Sequence, residues 1–100
     1  MTKVAVLVEL KSKPGKEQAL ATLLINDQPL IAAEPFTVSW FVMRLDLQTF
    51  IIFHAFDGED GLQTHMSGPI AAALLARADE LLAEPPQLRQ AEVLADLRSI

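Results

Sequence analysis

The residues of this chain best suited to proton chemistry near neutral pH are its two histidines, His54 and His65. An imidazole there can accept, donate or share a proton. His54 sits inside the run Phe50-Ile51-Ile52-Phe53-His54-Ala55-Phe56, where it has the strand parity of Phe50, Ile52 and Phe56. His65 stands three residues after Leu62 and next to Met66, a helical spacing that puts it at the border of a core-facing side. If the His54 face of its strand looks toward helices, both imidazoles can reach one cavity. If that face looks toward a partner sheet, His54 is an interface residue. His65 also has a plain structural reading, as a helix-boundary histidine bonded to a backbone carbonyl. Two imidazoles without a third ligand fixed by spacing do not define a metal site. The absence of cysteine excludes thiolate catalysis, disulfides and cysteine-ligated metal.

The elements that must position these residues can be read from the apolar pattern. Strand one is expected from about Lys3 to Lys11, and Ser12-Lys13-Pro14-Gly15 is a turn. A helix follows from about Lys16, with Leu20, Leu23, Leu24 and Ile31 as its apolar stripe. Pro29 removes a backbone donor and should kink or split this helix near Asp27-Gln28, and Glu34-Pro35 ends it. Strand two covers about Phe36 to Leu45. The short link Asp46-Leu47-Gln48-Thr49 makes an antiparallel hairpin with strand three. Asp57-Gly58-Glu59-Asp60 opens a second helical region with an acidic first turn suited to the helix dipole. Ser67-Gly68-Pro69 interrupts it, with Ser67 or Gly68 as a cap and Pro69 in the first turn of the next segment. Ile70, Leu74, Ala78, Leu81 and Leu82 share one side of that segment, and Pro85-Pro86 stops it. The last strand is expected from Glu92 to Leu97, where Val93, Ala95 and Leu97 alternate with polar residues, although a short helix also fits.

This order of strand, helix, strand, strand, helix, strand is the ferredoxin-like βαββαβ pattern, an α+β fold whose antiparallel sheet carries helices on one face. The strands Val4 to Val8, Val38 to Met43 and Phe50 to Phe56 are apolar on both alternating faces, so both faces call for cover. One helical layer covers only one of them. The simplest cover for the other is a second copy of the chain, giving a homodimer through the sheet face.

One hundred residues, 51% of them hydrophobic and 21% charged, read as one globular domain spanning 1–100. A formal charge of −5 argues against nucleic acid as a partner. Lys11, Lys13 and Lys16 cluster at the first turn, where a solvated corner explains them. The longest apolar run, Ile70 to Ala76, is too short to span a membrane, and the opening apolar strand is too short for a signal segment. A cytoplasmic protein is expected.

Five pieces of sequence then stand in a suggestive order. They are Lys13-Pro14-Gly15-Lys16, Ala33-Glu34-Pro35, Phe50 to Phe56, His65-Met66-Ser67-Gly68-Pro69, and Leu81-Leu82-Ala83-Glu84-Pro85-Pro86. Together they resemble the antibiotic biosynthesis monooxygenase superfamily over essentially the whole chain. The resemblance implies a dimeric α+β barrel with a cavity between sheet and helices in each subunit. It further implies a cofactor-independent monooxygenase that oxidises a small aromatic or quinone-precursor substrate with molecular oxygen, using no flavin, haem or metal. Other relatives make a degradative isomerase of a small carbonyl metabolite or signal an alternative. A non-catalytic ligand-binding dimer is another.

The resemblance also distributes roles. His65 matches a histidine common in the second helical region of such proteins. His54 stands where a glutamate is usual, which removes a carboxylate from that point. Trp40 falls where an aromatic residue is usual on strand two, and Phe56 where a tryptophan commonly ends strand three. Both can stack on a flat substrate, although aromatics at strand spacing also serve as plain core. Arg44 shares the parity of Trp40 near the strand end, where a solvated charge is the simpler reading. The haem-degrading relatives use an Asn, a Trp and a His where this chain has Val8, Phe56 and Leu74, which argues against haem cleavage.

Overall fold

The computed structural model describes residues 4–96. The first apolar run forms strand β1 (Val4–Lys11). Its reversal depends on Gly15, whose φ of 85° lies in the region that a Cβ disfavours. Helix α1 (Glu17–Ile25) follows and buries Leu20, Ala21 and Leu24. Pro29 splits the helical stretch as expected. A separate short helix α2 (Gln28–Ala32) carries the proline in its first turn, where a missing N–H costs nothing, and buries Ile31.

Strands β2 (Thr37–Asp46) and β3 (Thr49–Phe56) form the expected hairpin, with Asp46 Oδ1 accepting hydrogen bonds from the Gln48 and Thr49 amides at the turn. Helix α3 (Glu59–Met66) starts at Gly58 with Glu59 and Asp60 in its first turn. Helix α4 (Pro69–Ala76) is capped by Gly68 and begins with Pro69. The expected single third helix breaks at Arg77, and α5 (Ala78–Leu81) completes it.

The last strand differs from expectation. It is β4 (Gln87–Glu92), directly after Pro85-Pro86, and residues 93–96 form no strand. Every residue of β4 is exposed, so its sequence has no buried-face alternation to read. Glu92 pairs with Val4, where the described part of β1 begins, and the apolar alternation of Val93 and Ala95 follows that last pair. The expected strand limits Lys3 and Leu97 lie outside the described residues.

The four strands are antiparallel in the order β2-β3-β1-β4, the ferredoxin-like arrangement. Val4, Val6, Val8 and Leu10 of β1 and Phe50, Ile52 and Phe56 of β3 meet Leu20, Leu24, Leu62, Leu81 and Leu82 in one core. The helices therefore cover the face that also carries His54. The opposite face shows rows set by the strand register. Leu7, Phe53 and Phe41 form one row, and Glu9, Ile51 and Met43 the next. Phe41 is 57% exposed and Met43 45% exposed, with the Phe41 and Phe53 rings 6.0 Å apart. No helix among the described residues is long and apolar enough to cross a membrane.

Candidate active site

His54 occupies the middle of the sheet, paired with Val6 on one side and Trp40 on the other. Strand alternation then aims it at the helices, and it is 6% exposed. His65 enters from the last turn of α3 and is 2% exposed. The two rings meet edge to face with centroids 4.7 Å apart. The sequence left two orientations open for His54, and the structure selects the one that brings both imidazoles to a single cavity.

That cavity encloses about 130 Å³ between β3 and helix α4. Its walls are largely aliphatic and include Ile52, Ile70, Leu74 and Leu88, with Trp40 among them. Trp40 is half-buried and also packs on the core. Phe56 does not line the cavity. It is fully buried behind the histidines, its ring 6.0 Å from that of His54 and 5.7 Å from that of His65. It is placed to fix their orientation, and Trp40 alone of the two expected aromatic walls reaches the open space. Arg44 lies away from the cavity, exposed, with its guanidinium 4.9 Å from the centre of the Phe50 ring.

Two carboxylates complete the site, and sequence reasoning did not single out either. Glu34 follows α2, and its Oε1 and Oε2 lie 3.0 and 3.2 Å from His65 Nδ1. The same Oε1 accepts a hydrogen bond from Thr37 Oγ1 at 2.8 Å. A carboxylate can only accept, so in a neutral His65 the proton sits on Nδ1 and Nε2 keeps its lone pair. Asp27, at the junction of α1 and α2, lines the cavity itself. The available signals are the Pro29 split, which places Asp27 at the helix junction, and the Glu34-Pro35 break, which marks a helix stop and a family-like piece without assigning Glu34 a role in the site.

Burial disfavours the charged form of His54, and nearby His65 adds to the effect; together they lower its pKa to about 4. At neutral pH His54 is therefore an uncharged imidazole. Its Nδ1 is buried without a hydrogen-bond partner. An unpaired buried polar atom costs roughly 1–3 kcal/mol, so Nδ1 is open to a bonding partner supplied by water or a ligand. Asp27 is raised above the ordinary carboxyl value by burial, an effect that His65 partly offsets. The arrangement can therefore take a proton at a base held in one tautomer, inside an apolar chamber that keeps water away.

A four-stranded antiparallel sheet with one helical layer and a cavity between them is the ferredoxin-like α+β class. No protein-family model and no curated protein matches the chain, but solved structures do. NE2512, a protein of unknown function from Nitrosomonas europaea, is 45% identical over 100% of this chain and 97% of its own, with a TM-score of 0.96. Rv0793 from Mycobacterium tuberculosis is 24% identical, covering 97% of both chains, with a TM-score of 0.80. A Nitrosomonas europaea protein provisionally named an antibiotic biosynthesis monooxygenase is 15% identical over 92% of this chain and 99% of its own, with a TM-score of 0.84. The chain belongs to the family of the Nitrosomonas europaea protein of unknown function, and it shares its fold with solved structures provisionally named antibiotic biosynthesis monooxygenases.

Proposed function

We propose that this protein is a cofactor-independent monooxygenase of the cytoplasm, acting on a small aromatic or quinone-precursor substrate. The observation that carries the reading is the buried His65–Glu34 pair beside neutral His54 at an aliphatic cavity. In a phenol or anthrone, the substrate supplies the electrons. His65 Nε2 takes the phenolic proton, and Glu34 stabilises the imidazolium that forms. The substrate carbon in conjugation with the oxyanion then forms a C–O bond to molecular oxygen. The O–O bond breaks with loss of water and leaves a quinone carbonyl. One oxygen atom enters the product, the other leaves as water, and four electrons pass from carbon to oxygen. His54 and Trp40 border the reacting ring, and Phe56 holds the two imidazoles from behind.

A second copy is proposed to cover the Phe41–Met43 side of the sheet, giving the homodimer of the family barrel. One observation favours a second chemical reading: two imidazoles 4.7 Å apart can pass a proton between neighbouring atoms of a small carbonyl compound, as an isomerase requires. A binding module without catalysis would use the same cavity with neither histidine needed for turnover.

The test is oxygen uptake by metal-free, cofactor-free protein over a panel of phenols, hydroquinones and anthrones, with spontaneous oxidation subtracted. Saturable uptake that falls in folded His65→Ala and His54→Ala supports the oxygenase. Isomerisation of carbonyl probes without uptake favours the second reading, and ligand binding unaffected in rate by either variant favours the module.

A further inference from the structure

The polar edge of the cavity is unusually one-sided. Among the described residues its lining contains Asp27, His54 and His65 but no Lys or Arg. Asp27 is a carboxyl group and can offer two acceptor oxygens. His65 commits Nδ1 to Glu34 and so presents Nε2 as an acceptor. His54 is a neutral imidazole with one donor and one acceptor. The cation nearest in sequence to the Trp40 wall, Arg44, stacks on Phe50 and is absent from the lining. A ligand carboxylate, sulfate or phosphate entering this space would meet acceptors, the charge of Glu34 behind His65, and no counter-ion among the described residues.

We infer that the cavity recognises an uncharged aromatic carrying two or more hydroxyl groups, one received by Asp27 and another by His65 Nε2, and that it rejects the matching aromatic acid. Asp27 is thereby a specificity-determining residue that selects hydrogen-bond donors. The inference rests on His65 working through Nε2, as in the oxygenase reading, and it gives that reading a substrate class: polyphenols in place of phenolic acids. The stem of the ligand lies along Ile52, Leu74 and Leu88, an aliphatic wall that favours a flat apolar body.

The experiment is anaerobic calorimetric titration of the whole protein with a dihydroxynaphthalene and with the corresponding naphthalene carboxylate. Excluding oxygen separates binding from turnover. The diol should bind at least about tenfold more tightly than the acid, since like charge and an unpaired acceptor both penalise the latter. Asp27→Asn keeps the side-chain volume and adds a donor, so it should weaken the diol, strengthen the acid and narrow the ratio. Equal or tighter binding of the acid by the wild-type protein overturns the inference, and that arm needs no variant to fold. Binding of neither probe overturns it as well, as does an unchanged ratio in folded Asp27→Asn. If the diol is preferred but the oxygen-uptake panel is silent, the oxygenase reading fails while the donor-selecting site stands. Oxygen uptake combined with equal binding of diol and acid sinks the specificity alone.

Discussion

Glu34 and His65 are 31 positions apart in sequence, yet their side chains meet at 3.0 Å in the interior, one from the end of α2 and the other from the last turn of α3. The contact ties the segment after α2 to α3 near the start of β2, where Thr37 donates to the same carboxylate oxygen. It also sets which nitrogen of His65 is free for chemistry.

Glu34 is accordingly expected to act as a positioning residue. His65→Ala should lower kcat by on the order of 100-fold or more, the usual scale for a lost general base. Glu34→Ala should lower kcat strongly with little change in KM, because Glu34 does not line the cavity. Glu34→Gln keeps a carbonyl acceptor for the Nδ1 proton and should recover part of the loss. Steady-state kinetics on the three folded variants check this. Equal defects in Glu34→Gln and Glu34→Ala, tracking lost thermal stability, would instead make the contact purely structural.

His54 predicts how stability depends on pH. Its folded pKa of about 4 lies below the ordinary histidine value of 6.5. Between those values the unfolded chain binds the proton and the folded protein does not, so stability rises with pH across that window. The loss on acidification from neutrality through the folded pKa is on the order of 3 kcal/mol. Asp27 acts in the opposite sense from its ordinary value of 3.8 upward, since burial makes its folded form hold a proton more tightly. The readout is therefore the difference in urea unfolding free energy between wild type and His54→Gln as a function of pH. It should slope between pH 4 and 6.5 and be flat above, where both states carry neutral imidazole.

The legibility of this molecule follows from where its information is stored. Strands β1 and β3 are buried by apolar residues, so their periodicity reports them, and Pro29, Gly68 and Pro69 mark helix starts by rules of backbone geometry. Strand β4 is held by backbone pairing to β1 while none of its residues is buried, so the sequence pattern points downstream to Glu92 to Leu97. In the site, His54 and His65 are visible because histidine is scarce and its parity can be counted. Glu34 and Asp27 were hidden for the opposite reason. Acidic residues beside a helix break are commonplace on surfaces, and only the three-dimensional return of α3 brings His65 to them.

Phe56 offers a test of support as distinct from contact with substrate. It is 0% exposed and touches both imidazoles without lining the cavity. Phe56→Ala should cost roughly 3–5 kcal/mol by opening a hole in the core. Phe56→Leu should cost less and stay folded, yet still reduce kcat by loosening the histidine pair. Chemical denaturation paired with kinetics on Phe56→Leu decides the point: unchanged kcat there would show that the histidines keep their geometry without the ring behind them.

The uncovered sheet face gives the last expectation. Leu7, Phe53 and Phe41 run side by side across three strands, and Ile51 and Met43 extend the apolar area. Leaving such a patch in water is unfavourable, and a two-fold dimer would bury it against itself. Sedimentation at micromolar concentration should therefore give a dimer. Phe41→Glu places a charge on the patch in both copies of an isologous contact, so it should weaken association by roughly 30-fold or more. Because Phe41 points away from His54, the substitution should leave the folded subunit intact. A wild-type chain that sediments as a stable, soluble monomer would remove the reason for this pairing. A Phe41→Glu protein that remains as tightly dimeric as wild type would move the contact to another surface.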